Sequence, residues 1–204
     1  QAPIPGFHQS QVNARLQEHT EWLAGESREG VYVPLCGASV DIDWLATQFE
    51  RTVGTELVET AVHRFFEDRS TTPVVDSIGP YQRHTAGSIQ LLLGDALALT
   101  REHLSPVSAW YDRAAMIALR PELRRRYVAT LRHVLPTGAR GLLVTLEYDQ
   151  QVASGPPWSV TSEEVLSAYS GFCDIEQVHH VQAERTPPKF GEAPVFEVAY
   201  RLVV

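Results

Sequence analysis

The sequence predicts an α/β fold: a mostly parallel sheet with helices on both faces. Apolar runs of strand length recur at residues 31–37 (VYVPLCG), 51–56 (RTVGTE), 88–95 (SIQLLLGD) and 141–148 (GLLVTLEY). Segments with helix-like apolar spacing separate several of them, as alternating β and α units require. The 141–148 run is apolar along most of its length, which suits a strand buried on both sheet faces.

The elements follow in order. Residues 9–23 read as a helix outside the first βαβ unit, with Leu16 and Leu23 expected over the carboxyl ends of the strands and Trp22 adding bulk. The strand at 31–37 ends in a turn and is followed by SVDIDWLATQF, whose apolar spacing is helical. RTVGTE is the second strand and LVETAVHRFFEDR the next helix. Residues 71–87 carry two prolines and weak periodicity, so an irregular loop is expected there. SIQLLLGD is the third strand, and VSAWYD, residues 107–112, is the fourth.

Residues 121–135 read as a helix. Pro121 suits the first helical position, Leu123, Tyr127, Leu131 and Val134 supply an apolar face, and Gly138 follows its end. Arg124, Arg125 and Arg126 are expected near solvent. Residues 161–169 form a further helix, before extended segments around 174–183 and 195–204; residues 155–159 and 186–194 are loops. No linker divides the chain, so residues 1–204 are expected to form one domain with residues 1–29 as a helical amino-terminal segment.

Composition narrows the function classes. The 204 residues, 44 % of them hydrophobic, can bury a substantial core and argue against disorder. A formal charge of −8 disfavours a broad nucleic-acid surface, and no apolar run approaches the roughly 20 residues of a membrane span. The two cysteines, Cys36 and Cys173, are compatible with a reducing cytosol, and the cytoplasm is the expected location. No coiled-coil pattern is evident, and a monomer is expected. Among the eight histidines, His179 and His180 join no short ligand pattern with acids, so no metal is expected.

Ligands of open α/β sheets lie beyond the carboxyl ends of the strands. Leu35, Cys36 and Gly37 fall at the first such edge, where Gly37 permits a close turn. Glu56 ends the second strand, 19 positions after Gly37, where a carboxylate can accept both hydroxyl hydrogen bonds of a nucleoside ribose or can cap the next helix. The chain lacks both the Gly-x-Gly-x-x-Gly loop and the phosphate-binding Gly-x-x-x-x-Gly-Lys-Ser/Thr loop, which lowers the case for a dinucleotide or ATP enzyme. Gly94, Asp95 and Ala96 follow the third strand, beside space for a purine. Tyr111, Asp112 and Arg113 end the fourth, where Asp112 can orient a ligand through backbone geometry and Arg113 can bind an anionic acceptor, or the two can form a buried pair with each other. Asp149, after the fifth core strand, can serve as a base or close a turn.

Read together, GFHQ (6–9), VPLCG (33–37), GTE (54–56), AVHRFF (61–66), GD (94–95), YDRAA (111–115), LLVTLEY (142–148) and GPP (155–157) form an ordered set over nearly the whole chain. This set resembles the thiopurine S-methyltransferase family. The resemblance implies a class I S-adenosylmethionine-dependent methyltransferase fold, with the first 29 residues as a lid. It implies that Phe7 covers the cofactor, that Leu35 and Gly37 face it, that Glu56 binds its ribose, and that Asp95 and Ala96 flank the adenine. Tyr111, Asp112 and Arg113 match the segment bordering donor and acceptor; Arg113 and, in ERTPPKFG, Arg185 match acceptor-side arginines. Ala38, Val58, Ala96 and Leu97 depart from residues frequent in bacterial members.

The implied reaction moves a methyl group from S-adenosylmethionine to a small thiol or related chalcogen acceptor, leaving S-adenosylhomocysteine. Alternatives are a small-molecule O- or N-methyltransferase and a non-catalytic S-adenosylmethionine-binding protein. A NAD-linked oxidoreductase ranks below all three.

Overall fold

A computed structural model describes residues 11–104, 106–183 and 186–204; Phe7 and Arg185 lie outside the described residues. The strands are β1 (Val31–Val33), β2 (Thr52–Glu56), β3 (Val74–Ile78), β4 (Tyr81–Ala86), β5 (Ile89–Leu93), β6 (Ala109–Asp112), β7 (Arg140–Glu147), β8 (Asp174–Gln182) and β9 (Phe196–Val203). Among the described residues they form one nine-stranded sheet in the order β3-β4-β5-β2-β1-β6-β7-β9-β8. The central run β5-β2-β1-β6-β7 is parallel. Both flanks are antiparallel: β3 and β4 join β5 on one side, and β9 and β8 join β7 on the other. The expected parallel sheet is therefore the core of a mixed one.

Helices α1 (Ala14–Ala24), α2 (Asp41–Gln48) and α3 (Glu59–Glu67) cover one face. Leu16, Leu23, Ile42, Leu45, Val62 and Phe65 pack there on Val31, Val33, Leu91, Leu142 and Ala199. The other face carries α4 (Arg101–Leu104), α5 (Ala115–Ala118), α6 (Pro121–Val134) and α7 (Ser162–Tyr169). Met116, Tyr127, Leu131, Val165 and Tyr169 pack there on Tyr32, Val53, Trp110, Leu143 and Tyr200. Several helix ends have a local cause. Asn13 caps α1 by accepting from the Arg15 and Leu16 amides, and Thr161 caps α7 through the Glu164 amide, with Glu164 at the capping-box position. Pro121 starts α6, and Arg132 and His133 in its last turn complement the helix dipole.

Three expectations are corrected. Residues 71–87 hold not an irregular loop but the β3–β4 hairpin, paired in register from Val74↔Thr85 to Ile78↔Tyr81. Exposure hid it: Val74, Val75, Asp76 and Ser77 all face solvent, so no buried alternation marks the strand. Leu16 and Leu23 pack on the face of the sheet rather than over its carboxyl edge. Helix α1 spans that face, because Arg140 at the start of β7 donates to the Trp22 carbonyl (2.7 Å) while the α1 cap Asn13 reaches the opposite edge.

Arg124 is the third correction, being 2 % exposed rather than near solvent. Its guanidinium donates to both Glu164 oxygens (2.7 Å each), to the Leu119 carbonyl (3.0 Å) and to the Ser159 carbonyl (3.2 Å), joining α6 to α7 and to the loop before it. Removing one partner of a buried pair leaves the other groups unsatisfied. Arg124→Ala is expected to lower the unfolding free energy by about 3 kcal/mol in urea titrations, the low end for a buried pair because Glu164 retains partial solvent access. A loss within the error of the titration would show that the pair carries no stability.

Candidate active site

The parallel strands deliver their carboxyl ends to one edge, and the loops after β1, β2, β5 and β6 meet there. After β1 the backbone turns through two left-handed residues, Leu35 (φ 46°) and Gly37 (φ 53°). A non-glycine side chain is disfavoured in that region, so Leu35 marks a locally strained turn of the kind that concentrates at ligand sites. A Cβ placed on Gly37 would meet nothing within 4 Å, so open space lies beside this backbone.

Glu56 fastens this loop to the next helix. Its Oε2 accepts from the Gly37 amide (2.8 Å) and its Oε1 from the Val58 amide (2.9 Å) just ahead of α3. A carboxylate offers about four lone-pair sites. Two are in use, and acceptor capacity remains for a diol beside the open space at Gly37. The two readings of Glu56 are thus compatible, and the donor set fits an adenosine-bearing group. Beneath this turn the Cys36 thiol is buried; burial, with Glu56 adding to it, pushes its pKa well above the ordinary thiol value and keeps it protonated.

After β5, Asp95 accepts from the Leu97 amide (2.9 Å) and starts a single 3₁₀ turn, Ala96–Ala98, in which Ala96 is buried. Tyr81, from the hairpin missed in the sequence, donates its hydroxyl to the Asp95 carbonyl (2.8 Å). A Cβ on Gly94 would lie 2.5 Å from the Tyr81 ring, so glycine is required for this close approach. Tyr81 therefore fixes the loop in which Asp95 and Ala96 lie.

The residues after β6 divide by face. Asp112 turns inward, fully buried, and accepts from the Ala114 and Ala115 amides and the Tyr127 hydroxyl (2.8 Å). Its carboxylate fixes the turn into α5, and toward a ligand it offers only backbone geometry. Tyr111 and Arg113 turn to the other face and meet Asp41, whose side chain is 1 % exposed. Arg113 Nε donates to Asp41 Oδ2 (2.9 Å), the Tyr111 hydroxyl donates to the same oxygen (3.1 Å), and the Asn13 amide donates to Oδ1 (2.9 Å). The Asp112–Arg113 pair weighed from sequence does not form: the two side chains leave β6 on opposite faces, and Arg113 pairs with Asp41 instead. Burial works against the Arg113 charge, yet Tyr111 and Asp41 outweigh it and raise its pKa further above the ordinary range.

Arg113 lines a cleft of about 220 Å³ beside the ends of β6, β7 and β9. Ile117, Val144, Leu146, Pro187 and Phe190 make its walls largely apolar. Asp149 is outside this lining; its Oδ1 accepts from the Gln151 amide (2.9 Å) and closes a turn. Among the described residues, no group of three or more His, Cys, Asp or Glu side chains is arranged to hold a metal ion.

Comparison with known proteins decides the family. The family model described as thiopurine S-methyltransferase matches residues 2–204. The chain belongs to this family. It is 45 % identical over 173 residues to the thiopurine S-methyltransferase of Pseudomonas aeruginosa (strain UCBPP-PA14), covering 85 % of this chain and 79 % of that one. With the Pseudomonas entomophila (strain L48) thiopurine S-methyltransferase it shares 42 % identity over 200 residues, 97 % of this chain and 92 % of the relative. Among solved structures, the N-methyltransferase NodS from Bradyrhizobium japonicum, in complex with S-adenosyl-L-homocysteine, matches with a TM-score of 0.60 at 11 % identity, covering 92 % of this chain and 85 % of that one. That likeness concerns the fold, the class I methyltransferase architecture. The chain is an S-adenosylmethionine-dependent methyltransferase acting on a small thiol or related chalcogen acceptor. No helix among its described residues is long and apolar enough to cross a membrane.

Several residues of this candidate site carry no signal that singles them out in the sequence. Asp41 reads there as a common acidic first-turn residue of α2, and nothing marks it as a hub. Glu197 enters the cleft from β9, paired with Arg15 of α1 (3.4 Å). Lys189 donates to the Ser154 (3.2 Å) and Pro156 (2.7 Å) carbonyls, clamping the GPP loop to the 186–190 segment on the cleft's rim. Lys189 is the exception, since it is the only lysine in the chain.

Asp112 also carries a pH consequence. Burial pushes its carboxyl up to about 6, against the pull of Tyr127 and the α5 amides. Between the ordinary carboxylate value, about 4, and that raised value, the folded chain binds the proton while the unfolded chain releases it. Stability contributed by this group therefore falls as pH rises through the window. Urea titrations of Asp112→Asn at several pH values are expected to lack that downward component; a profile parallel to that of the unaltered chain would rule it out.

Proposed function

We propose that the cleft at Arg113 holds the methyl acceptor and that the edge formed by Leu35, Gly37, Glu56, Asp95 and Ala96 holds the donor. The observation that carries this reading is the Arg113 guanidinium, anchored on a buried aspartate, facing a largely apolar cleft whose one carboxylate, Glu197, is already paired with Arg15, at the same sheet edge as the Gly37–Glu56 turn. S-adenosylmethionine, when bound, supplies an electrophilic methyl group on a sulfonium sulfur. Glu56 accepts from its ribose hydroxyls with the lone pairs that Gly37 and Val58 leave open. Asp95 and Ala96 border the adenine, Tyr111 and Asp112 fix the backbone between donor and acceptor, and Phe7 covers the donor.

Arg113, joined by Arg185, orients an acceptor thiolate and offsets its charge, while the apolar walls hold the ring of a small aromatic or heterocyclic thiol, including thiopurines. Such a thiolate needs alignment rather than covalent attachment to the enzyme, so the main contributions are approach geometry and exclusion of water. Cys36, protonated beneath the loop, has no role as nucleophile. The chain acts as a cytoplasmic monomer of one domain, with residues 1–29 as its lid, and engages no nucleic acid or membrane.

Calorimetric titration with S-adenosylhomocysteine tests the donor side. Glu56→Gln is expected to weaken binding by about tenfold or more, the scale of a lost hydrogen bond to a charged group. Unchanged affinity in a folded variant would remove Glu56 from the site.

A further inference from the structure

The Asp41 carboxylate has a place in the site that the reaction itself does not require. It sits on the first turn of α2 with its side chain 1 % exposed, yet its three donors come from two other parts of the chain. Arg113 Nε and the Tyr111 hydroxyl arrive from the end of β6, and the Asn13 amide arrives from the cap of α1. Ser39 completes the arrangement, because its hydroxyl oxygen accepts from the Asp41 amide (3.2 Å) and from Arg113 Nη2 (3.4 Å). Both Asn13 and Arg113 line the cleft. A guanidinium tethered through Nε and Nη2 has little rotational freedom, and a buried carboxylate cannot release one donor without leaving charge unsatisfied.

We propose that Asp41 is a positioning residue for acceptor recognition: it sets Arg113 in the cleft and locks that setting to the first turn of α1, so the amino-terminal helix and the acceptor-binding arginine move as one unit. This rests on the reading that the cleft takes the acceptor. Asp41 touches neither substrate; its effect is transmitted through the Arg113 side chain and the Asn13 backbone. Two mutational consequences follow. Loss of the Asp41 charge affects acceptor binding and leaves donor binding nearly intact. Loss of the Asn13 amide hydrogen bond affects acceptor binding even when α1 remains folded.

Steady-state kinetics with S-adenosylmethionine and 6-mercaptopurine on the full 204-residue chain separate these claims from the reading beneath them. Arg113→Ala tests the cleft itself and is expected to raise the acceptor KM about tenfold or more; no rise removes the acceptor from the cleft. Given that rise, Asp41→Asn is expected to raise the acceptor KM about fivefold. It is also expected to change the calorimetric S-adenosylhomocysteine affinity less than about twofold, and to add nothing when combined with Arg113→Ala. An unchanged or lowered KM in Asp41→Asn, or additive losses in the double variant, overturns the proposal while leaving the cleft assignment standing.

A second pair of variants applies even where Asp41→Asn fails to fold. Asn13 has φ −60°, which a proline ring matches, so Asn13→Pro deletes the amide donor without forcing the backbone, whereas Asn13→Ala deletes only the side-chain cap. The proline variant is expected to show the higher acceptor KM of the two at equal helix content by circular dichroism. Equal KM values would break the link between α1 and Arg113.

Discussion

Five neighbouring parallel strands, enclosed by helices on both faces, impose the constraint from which the rest of this structure follows. Parallel pairing needs a crossover between strands, so helices must cover the sheet, and every strand's carboxyl end emerges at one edge. The antiparallel flanks release that constraint: β4 and β9 reverse direction, so hairpin connections and a terminal strand close the sheet on either side. Tyr81, the first residue of β4, thereby returns to the carboxyl edge and can hold the Asp95 loop. The added hairpin is therefore part of the site's scaffold as well as an extension of the sheet.

At that edge, carboxylates do most of the joining. Glu56 ties the β1 turn to the start of α3, Asp112 ties β6 to α5, and Asp41 ties α2 to β6 and α1. Their burial separates their roles. Glu56 is only half-buried and keeps acceptor capacity. Asp112 is enclosed and committed to amides and a tyrosine, with its proton affinity raised by burial. Asp41 is as enclosed as Asp112 but has a guanidinium partner. Three acidic residues near strand ends look alike as letters, and desolvation with the available donors differentiates them.

Much of this was legible beforehand because it depends on local pattern. The strand at 141–148, the helix from Pro121 and the carboxyl-edge placement of Gly37, Glu56 and Asp95 follow from apolar periodicity and turn chemistry. The β3–β4 hairpin was illegible for a physical reason: Val74 to Ser77 of β3 are exposed on both sides, and a strand that buries only its last residue leaves no period-two signal. Arg124 was misread because a run of three arginines looks like a solvated face, and its four hydrogen bonds come from residues 119, 159 and 164. Asp41, Glu197 and Tyr81 were invisible as site residues for the same reason, since their partners lie on other elements. Pairing across sequence distance is what a one-dimensional reading lacks.

The polar groups of the cleft show how the desolvation of charge placed in an apolar site can be offset by a fixed partner. Arg113 is paired with Asp41, and Glu197 with Arg15, within the fold itself. Closing such a cleft over a ligand therefore strands no isolated ion. A thiolate that takes a methyl group from a sulfonium loses its charge as the sulfonium loses its own, so the reaction proceeds from an ion pair to two neutral centres. Water holds that ion pair back by hydrating the thiolate; in the acceptor cleft proposed above, apolar walls such as Val144, Leu146 and Phe190 do not. A cation already neutralised by a buried carboxylate can orient the anion through its remaining hydrogen-bonding edge without being the sole balance for its charge. Placing the arginine at the end of a buried strand and its carboxylate on the neighbouring helix achieves this with two side chains that the parallel sheet brings to the same edge.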